Sequence, residues 1–198
     1  MLPCTLPVFN QMYPNVRLDE MEEHSGKLEG MILNGETDLA FFNLPIKRPD
    51  IDYEVIKHEE VLVVMAASHP LAHSGVIREG CKYPWVDLQQ LKDVPFIMQI
   101  PGQRTRETVD HLCRKSNFTP IVRLETSNIP AAVQLAGKGY GCFFVTETHL
   151  RHITQTDPVV CFSVGEPCTT VDFVAAFRKN SYLPYHAREY ITIVKNFT

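Results

Sequence analysis

The chain has 198 residues, of which 44% are hydrophobic and 21% are charged. This composition is typical of a globular protein with one large or two small domains, and it excludes a disordered or fibrous chain. The formal net charge of -4 argues against a sequence-independent nucleic-acid binder, because binding to the phosphate backbone depends on clustered lysine and arginine.

The six cysteines are scattered along the chain and contain no Cys-x-x-Cys pair. Reduced thiols of this kind are typical of a cytosolic protein. No apolar run approaches the roughly 18 residues needed to span a bilayer, and no cleavable signal sequence with a basic start is present. We therefore predict a cytoplasmic location and no membrane partner.

The spacing of apolar residues in the first part of the chain predicts alternating helices and strands. Helices are expected over Pro3–Tyr13 and from Ser25 until Gly35 ends the second one, since apolar residues recur there at helical spacing. Strands are expected over Val16–Met21 and Asp38–Asn43. This order with short links predicts right-handed crossovers and a parallel sheet.

An unbroken apolar run over Val61–Met65 is the strongest strand signal in the chain. It does not alternate and is rich in β-branched residues, which is typical of a strand buried on both faces of a parallel sheet. Pro70 stops the strand, so Ser68 and His69 are expected just beyond its carboxyl end. Ligands bind at that edge in open α/β sheets.

A second α/β unit follows after an irregular connection. Its periodicity and turn residues predict helices and strands up to the end of the chain. The predicted helices are Asp87–Leu91, Arg104–Ser116, Ile129–Ala136 and Tyr185–Phe197, and the predicted strands are Pro95–Gln99, Ile121–Leu124, Cys142–Val145, Val159–Val164 and Val171–Phe177.

Five motifs occur in an order that one protein family shares. They are L-P-x-F-x-x-x-Y-P-x-V at Leu6–Val16, G-E-T-D-L-A at Gly35–Ala40, H-P-L-A at His69–Ala72, P-F-I at Pro95–Ile97 and A-A-V-Q-L-A-G-K-G-Y-G at Ala131–Gly141. With these motifs the chain resembles the effector-binding domain of LysR-type transcriptional regulators over nearly its whole length. Thr146 departs from the proline that the family commonly has after the preceding strand.

The resemblance implies an α/β, two-lobed, periplasmic-binding-protein-like fold with parallel or mixed sheets and a central ligand cleft. Lobe I would contain residues 1–68 and 170–198, and lobe II residues 69–169. The family begins the domain with a strand ahead of the first helix, so the first strand of lobe I is expected to be missing. The family's amino-terminal winged helix-turn-helix and linker helix are also absent from this chain.

Several polar residues fall at strand carboxyl ends or helix amino ends, where hydrogen-bond donors converge. Ser127 and Asn128 cap the following helix, help its free N–H groups to bind a carboxylate or phosphate, or do both. Arg104 or Arg106 is either a cationic fork for an anion or a solvated arginine. The predicted ligand-binding residues are Ser25, Asn43, Ser68, Gln99, Arg104, Ser127 and Asn128.

Three of these residues also have simpler interpretations. Ser25 and Asn43 match positions that line the effector cleft in the regulators that this sequence resembles. Ser68 has the same two interpretations, a cleft residue or a turn residue. Cap and turn roles are the alternatives for such residues.

No catalytic motif is found. The sequence lacks G-x-S-x-G, a P-loop, G-x-G-x-x-G and H-E-x-x-H. Its cysteines and histidines also lack the spacing of zinc ligands. We therefore predict no catalytic residue, no metal, no cofactor and no enzymatic activity.

The predicted function is effector sensing for a LysR-type transcriptional regulator. A small anionic metabolite would bind between the lobes and alter the geometry of the oligomer. The resemblance implies a homodimer, with a tetramer as a further state of the full-length regulator, and DNA contact only through the absent amino-terminal domain. The alternatives are a solute-binding protein of a transport system, which six unpaired cysteines disfavour, and an enzyme on the same scaffold.

Overall fold

The computed structural model describes residues 1–197 and divides the chain into two compact units. Unit 1 contains Met1–His58 and the chain from Asp172 onward, and unit 2 contains Glu59–Val171. The helices are α1 (Leu2–Met12), α2 (Ser25–Asn34), α3 (Arg104–Lys115), α4 (Ile129–Gly137), α5 (Glu147–Arg151) and α6 (Tyr185–Phe197), with one 3-10 turn at Leu88–Leu91. The strands are β1 (Ala40–Asn43), β2 (Ile51–Ala66), β3 (Pro95–Gln99), β4 (Ile121–Thr126), β5 (Cys142–Thr146), β6 (Val159–Ser163) and β7 (Thr170–Arg178).

The sheet of unit 2 is mixed and is built around the second half of β2. This half pairs antiparallel with β5 on one side and with β6 on the other. Strand β3 lies between β5 and the edge strand β4 and runs parallel to both. The carboxyl ends of β3, β4 and β5 therefore share one edge, which we call the carboxyl edge and define by Gln99, Thr126 and Thr146.

Residues 61–65 are buried, and successive side chains enter two different cores. Val61, Val63 and Met65 pack in the core beneath α3, whereas Leu62 and Val64 pack in the core beneath α4. The prediction of a strand buried on both faces is confirmed. The predicted parallel arrangement is wrong for β2, because both of its neighbours in unit 2 run antiparallel to it.

Unit 1 has a smaller sheet in the order β1-β7-β2. Strand β1 is antiparallel to β7, with Ala40 opposite Ala176. Val174 and Ala176 face the core beneath α2. Phe173 and Ala175 point to the other face, where Phe173 packs with α1 and α6 and Ala175 packs with α6. Alternation along β7 thus divides the apolar side chains of unit 1 between two layers of helices.

Local chemistry explains where α2 begins and ends and what holds α1 in place. Helix α2 ends at Gly35, whose φ of 74° places it in the left-handed region that glycine adopts without strain. His24 caps the other end, since its Nδ1 accepts a hydrogen bond of 3.2 Å from the Lys27 N–H. Helix α1 is joined to α6 by a buried hydrogen bond of 3.0 Å between the hydroxyls of Thr5 and Tyr190.

Two strand predictions need correction. Apolar and polar residues alternate over Val16–Met21, but this segment is not a strand, and most of its side chains are exposed. A strand needs a neighbour for its N–H and C=O groups, and no β ladder of the described chain includes this segment. Strand β2 is also longer than predicted, because its first half, Ile51–His58, carries polar residues that concealed it.

None of the described helices combines the length and the hydropathy that crossing a bilayer requires. All six cysteines are free thiols in the structure.

Candidate functional site

The carboxyl edge of unit 2 brings together three of the predicted ligand-binding residues. Gln99 ends β3 directly opposite Thr126, the last residue of β4. The Ile100 N–H continues the ladder with a hydrogen bond of 3.3 Å to the Thr126 carbonyl. Ser127 and Asn128 follow Thr126 immediately. Parallel pairing of β3 and β4 therefore places Gln99 beside the start of α4.

The side-chain amide of Gln99 is buried and unsatisfied within the described chain. Gln99 is 5% exposed, and its Nε2 has no hydrogen-bond partner among the described residues. Leaving a buried donor without a partner costs roughly 1–3 kcal/mol, a penalty that a bound acceptor would remove. Gln99 lies beside Met98, Thr105, Arg106, Val109 and Phe144.

Thr148 is a second polar residue of this kind, and the sequence analysis missed it. It lies in α5 just after β5, is 5% exposed, and its Oγ1 has no partner in the part of the chain that the structure describes. Its N–H donates to Glu59 Oε2 at 2.6 Å. Glu59 opens the unit 2 half of β2, opposite the end of β5. The available signal was the polar run Thr146–Thr148 after an apolar strand.

Two buried carboxylates, Glu60 and Glu147, anchor the start of the unit 2 half of β2 at the same edge. Glu147 Oε2 accepts hydrogen bonds from the Glu60 N–H at 2.8 Å and from the Lys82 ammonium at 2.7 Å. Glu60 Oε1 in turn accepts from the Lys82 N–H at 2.8 Å. Both carboxylates are thus compensated. Their burial was not predicted, although the Glu59–Glu60 pair stands directly before the apolar run.

The arginines near Gln99 are already paired with carboxylates. Arg104 is 3% exposed, and its Nη1 lies 3.1 Å from Glu107 Oε2. Arg106 contacts Asp110 at 2.9 Å and Glu125 at 2.7 Å. Burial opposes its charge, but hydrogen bonds to Glu125 and Asp110 outweigh this effect and raise the pKa of Arg106.

The histidine of α5, His149, contributes no positive charge at neutral pH. Burial lowers the pKa of His149, and the nearby Glu59 carboxylate only partly offsets this effect. The His149 Nδ1 lies 2.9 Å from the Thr146 hydroxyl. His149 therefore adds no positive charge at the carboxyl edge.

The start of α4 combines capping with one open backbone donor. Asn128 Oδ1 accepts from the Ala131 N–H at 3.0 Å, which confirms the capping interpretation of Asn128. Pro130 has no N–H. Among the first three positions of this helix, the N–H of Ile129 is therefore the one left for a ligand. Ser127 is exposed beside it.

Ser68 lies at the opposite edge of the unit 2 sheet. It follows the carboxyl end of β2, as predicted, and is exposed in a turn. However, β2 runs antiparallel to β5, with Val64 opposite Phe143 and Val61 opposite Thr146. The end of β2 is thus beside the start of β5, and the structure does not bring Ser68 together with Gln99 or Ser127.

Ser25 and Asn43 belong to unit 1. Ser25 is the first residue of α2 and is 5% exposed, while Asn43 is the last residue of β1 and is 4% exposed. The cap role considered for Ser25 belongs to His24. Helix α2 turns back into β1 and packs on it through Ile32, so the two predicted residues lie at the same end of this unit.

No group of three or more His, Cys, Asp or Glu side chains among residues 1–197 is arranged to hold a metal ion.

The element order, the mixed sheet and a polar carboxyl edge define an α/β ligand-binding domain with a periplasmic-binding-protein-like fold. Residues 1–198 match the family model described as the LysR substrate binding domain, and the chain belongs to this family. The recognition made from sequence motifs is confirmed.

Curated relatives are transcriptional regulators and are longer than this chain. An uncharacterized HTH-type transcriptional regulator of Bacillus subtilis (strain 168), YcgK, is 26% identical over 98% of this chain and 61% of its own length. The Hca operon transcriptional activator HcaR of Escherichia coli (strain K12) is 25% identical over 98% of this chain and 62% of its own length. The chain therefore spans about three fifths of these relatives.

Solved structures of LysR-type effector-binding domains share the fold of this chain. The C-terminal domain of a probable LysR family transcriptional regulator from Rhodococcus sp. RHA1 is 25% identical, with a TM-score of 0.79 over 98% of this chain and 91% of that chain. The effector binding domain of QuiR in complex with shikimate is 22% identical, with a TM-score of 0.75 over 100% of this chain and 90% of that chain. The second likeness supports the fold alone.

A substitution at Gln99 tests whether its amide is unsatisfied in the folded protein. We expect Gln99→Met, which conserves volume, to keep or raise the free energy of unfolding by up to about 3 kcal/mol, because it removes a buried donor that has no partner. Urea unfolding followed by the fluorescence of Trp85, the single tryptophan, measures this free energy in unit 2.

Gln89→Met is the control for a glutamine whose amide is paired, at an exposed position. Gln89 Nε2 donates to the carbonyls of Ser116 at 2.8 Å and Asn117 at 3.2 Å. Its loss should therefore lower the free energy of unfolding by about 0.5–1.5 kcal/mol. If Gln99→Met lowered stability more than Gln89→Met, the Gln99 amide would have a partner in the free protein.

Proposed function

We propose that this chain senses a small-molecule effector for a transcriptional regulator and binds it at the carboxyl edge of unit 2. The proposal rests on two buried polar groups at this edge, Gln99 Nε2 and Thr148 Oγ1. Neither group has a hydrogen-bond partner among the described residues. Membership in the LysR substrate binding domain family supports the class of function.

The effector that these donors favour is a small anionic metabolite with a carboxylate or a comparable acceptor. An amide N–H, a hydroxyl and the Ile129 N–H supply hydrogen bonds to such a group. Arg104 and Arg106 are paired with carboxylates, so they contribute little net positive charge. We therefore infer that neutral, directional hydrogen bonds determine which metabolite binds.

The proposed ligand-binding residues in unit 2 are Gln99, Ser127, Asn128 and Thr148. Asn128 would act through its cap, which sets the start of α4, and Arg104 through the shape of the turn after β3. In unit 1, taken by itself, Ser25 and Asn43 stay proposed ligand-binding residues on the family resemblance. Ser68 is left out because it lies at the opposite edge of its sheet.

Sensing requires that the ligand distinguish between conformations of the regulator. A metabolite that bound every conformation equally well would not change transcription, however tightly it bound. We infer that occupancy changes the conformational population of this domain and that the change is transmitted to DNA through a separate DNA-binding domain. The net charge of -4 supports a role for this chain in sensing rather than in DNA contact.

We infer that the domain binds its effector without transforming it and acts in the cytoplasm. The regulator relatives support a binding role, and six free thiols fit a reducing compartment. The acidic groups nearest the carboxyl edge, Glu59, Glu60 and Glu147, are committed to backbone or lysine donors. Such groups are poorly placed to act as general acids or bases.

Binding is tested by a thermal-shift screen of small organic acids, amino acids and aromatic carboxylates, because a ligand that binds only the folded state raises the melting temperature. Calorimetry on the best compound should then show at least about tenfold weaker binding for Gln99→Met, since a buried hydrogen bond to a charged group contributes roughly 1.5–3 kcal/mol. Ser127→Ala should weaken binding by a smaller factor.

Gln89→Met serves again as the control and should bind like the parent protein. Equal affinity of the parent, Gln99→Met and Ser127→Ala would contradict the site assignment. Mass spectrometry of the incubated compound should recover it unchanged, and product formed in proportion to the protein would favour the enzyme alternative.

We also propose a homodimer, in which α1 of one subunit packs against α4 of an antiparallel partner. The family resemblance is the source of this arrangement. Met12 supports it, because it is a large apolar residue at the end of α1 that is 50% exposed. Val8, one turn earlier in α1, packs against the core of unit 1, so Met12 is the informative position.

Sedimentation at micromolar concentration should give twice the monomer mass for the parent protein. Met12→Glu should shift the protein to monomer with an unchanged circular dichroism spectrum, since it places an unpaired charge in an isologous contact twice. Ile77→Glu is the control, because Ile77 is 89% exposed and lies in neither helix. A parent protein that stays monomeric at every concentration would rule out the dimer.

A further inference from the structure

Two cysteines that are distant in sequence meet at the surface of unit 2. Cys81 Sγ lies 3.3 Å from the carbonyl oxygen of Pro167, and Cys168 Sγ lies 3.1 Å from the carbonyl oxygen of Gly80. Each thiol thus contacts the residue that precedes the other cysteine. The two thiols are within hydrogen-bond reach of each other, and both side chains are partly exposed.

The segments that carry these cysteines are held together by contacts other than those of the thiols. Arg78 donates two hydrogen bonds to the Glu166 carboxylate, at 3.3 and 2.7 Å. The Trp85 indole N–H donates to the Gly165 carbonyl at 2.8 Å. The Arg78 guanidinium also lies over the Trp85 ring, 4.4 Å from its centroid. The approach of Cys81 to Cys168 is therefore preorganised by the chain around them.

The two thiols have different surroundings. Burial, the Glu60 carboxylate and the Cys81 sulfur together raise the pKa of Cys168 to about 11. Cys168 therefore stays protonated near neutral pH and hydrogen bonds to Glu60. Because the thiolate is the attacking species in disulfide exchange, the first step falls to Cys81.

The remaining cysteines are arranged differently. Cys113 and Cys142 are buried, and burial raises their pKa to about 11 and about 12. The pKa of Cys161 is raised by burial to about 11. Cys4 is exposed but lies in unit 1.

We propose that Cys81 and Cys168 form a reversible dithiol–disulfide modification site whose oxidant is a low-molecular-weight disulfide. The Cys81 thiolate attacks one sulfur of that disulfide, its S–S bond breaks, and one small thiol leaves. Cys168 then loses its proton and attacks the Cys81 sulfur of the mixed disulfide, which releases the second small thiol. Two protein thiols are oxidised and one small disulfide is reduced to two thiols, so atoms and electrons balance.

The disulfide would link segments that already lie side by side, so little backbone movement is needed to reach the S–S distance of about 2.05 Å. Oxidation would also remove the S–H donor that faces Glu60. That carboxylate keeps the Lys82 N–H and the Ser163 hydroxyl as donors. Reduced small thiols would reverse the reaction, which makes the modification compatible with a reducing compartment.

The test equilibrates the folded chain in glutathione buffers of increasing oxidised fraction and quenches exchange with acid. Free thiols are then blocked with excess N-ethylmaleimide in denaturant at neutral pH, and peptides are mapped by mass spectrometry without reduction. We expect a Cys81–Cys168 cross-linked peptide, two hydrogen atoms lighter than the two thiol peptides, and its formation should accelerate as the pH rises. Addition of reduced glutathione should regenerate both thiols. Cys4 should acquire glutathione in the same samples, which shows that the oxidant is active.

Two single variants separate the proposed steps. Cys168→Ser should accumulate a glutathione adduct on Cys81, because no second thiol resolves it. Cys81→Ser should leave Cys168 unmodified under the same conditions. The proposal fails if the parent protein, folded by circular dichroism, keeps both thiols in the most oxidising buffer, or if each of the two cysteines carries its own glutathione.

Discussion

Burial of residues 61–65 on both faces of the sheet is the constraint on which unit 2 depends. Val61, Leu62, Val63 and Val64 are 0% exposed and Met65 is 1% exposed, and successive side chains enter different cores. Full burial of an aliphatic side chain contributes roughly 1.5–3 kcal/mol. A shift by one residue would exchange the contents of the two cores, so this register is strongly specified. The ordered strand then fixes the positions of the residues at both of its ends.

The carboxyl edge shows how such a core can support unsatisfied polar groups. Glu59 and Glu60 are buried where β2 enters unit 2, and each is compensated by N–H donors, Thr148 for Glu59 and Lys82 for Glu60. Gln99 Nε2 and Thr148 Oγ1 lack such compensation among the described residues. The burial of apolar residues in β2 offsets their penalty of roughly 1–3 kcal/mol each. A bound acceptor would recover that penalty, which connects the packing of the strand to effector binding.

Helices and strands were predicted well where turn residues and periodicity mark both ends. The prediction failed where a strand depends on its neighbouring strands. Pro95–Gln99 and Tyr185–Phe197 have the predicted bounds, because turn residues and periodicity mark both ends. Val16–Met21 has a strand pattern but no neighbouring strand. Strand direction is not encoded in composition, so Ser68 was expected at the wrong edge relative to Gln99 and Ser127. Thr148 was missed because the short helix α5 leaves no periodic signal.

An effector at the carboxyl edge of unit 2 should protect the backbone amides of that edge from solvent exchange. Hydrogen–deuterium exchange, with and without a ligand found by screening, measures this protection, since bound ligands slow the exchange of the amides that they contact or order. We expect slower exchange in peptides covering residues 99–106 and 126–131, with no change at residues 66–74. Slower exchange at residues 66–74 with none at 99–106 would contradict this expectation.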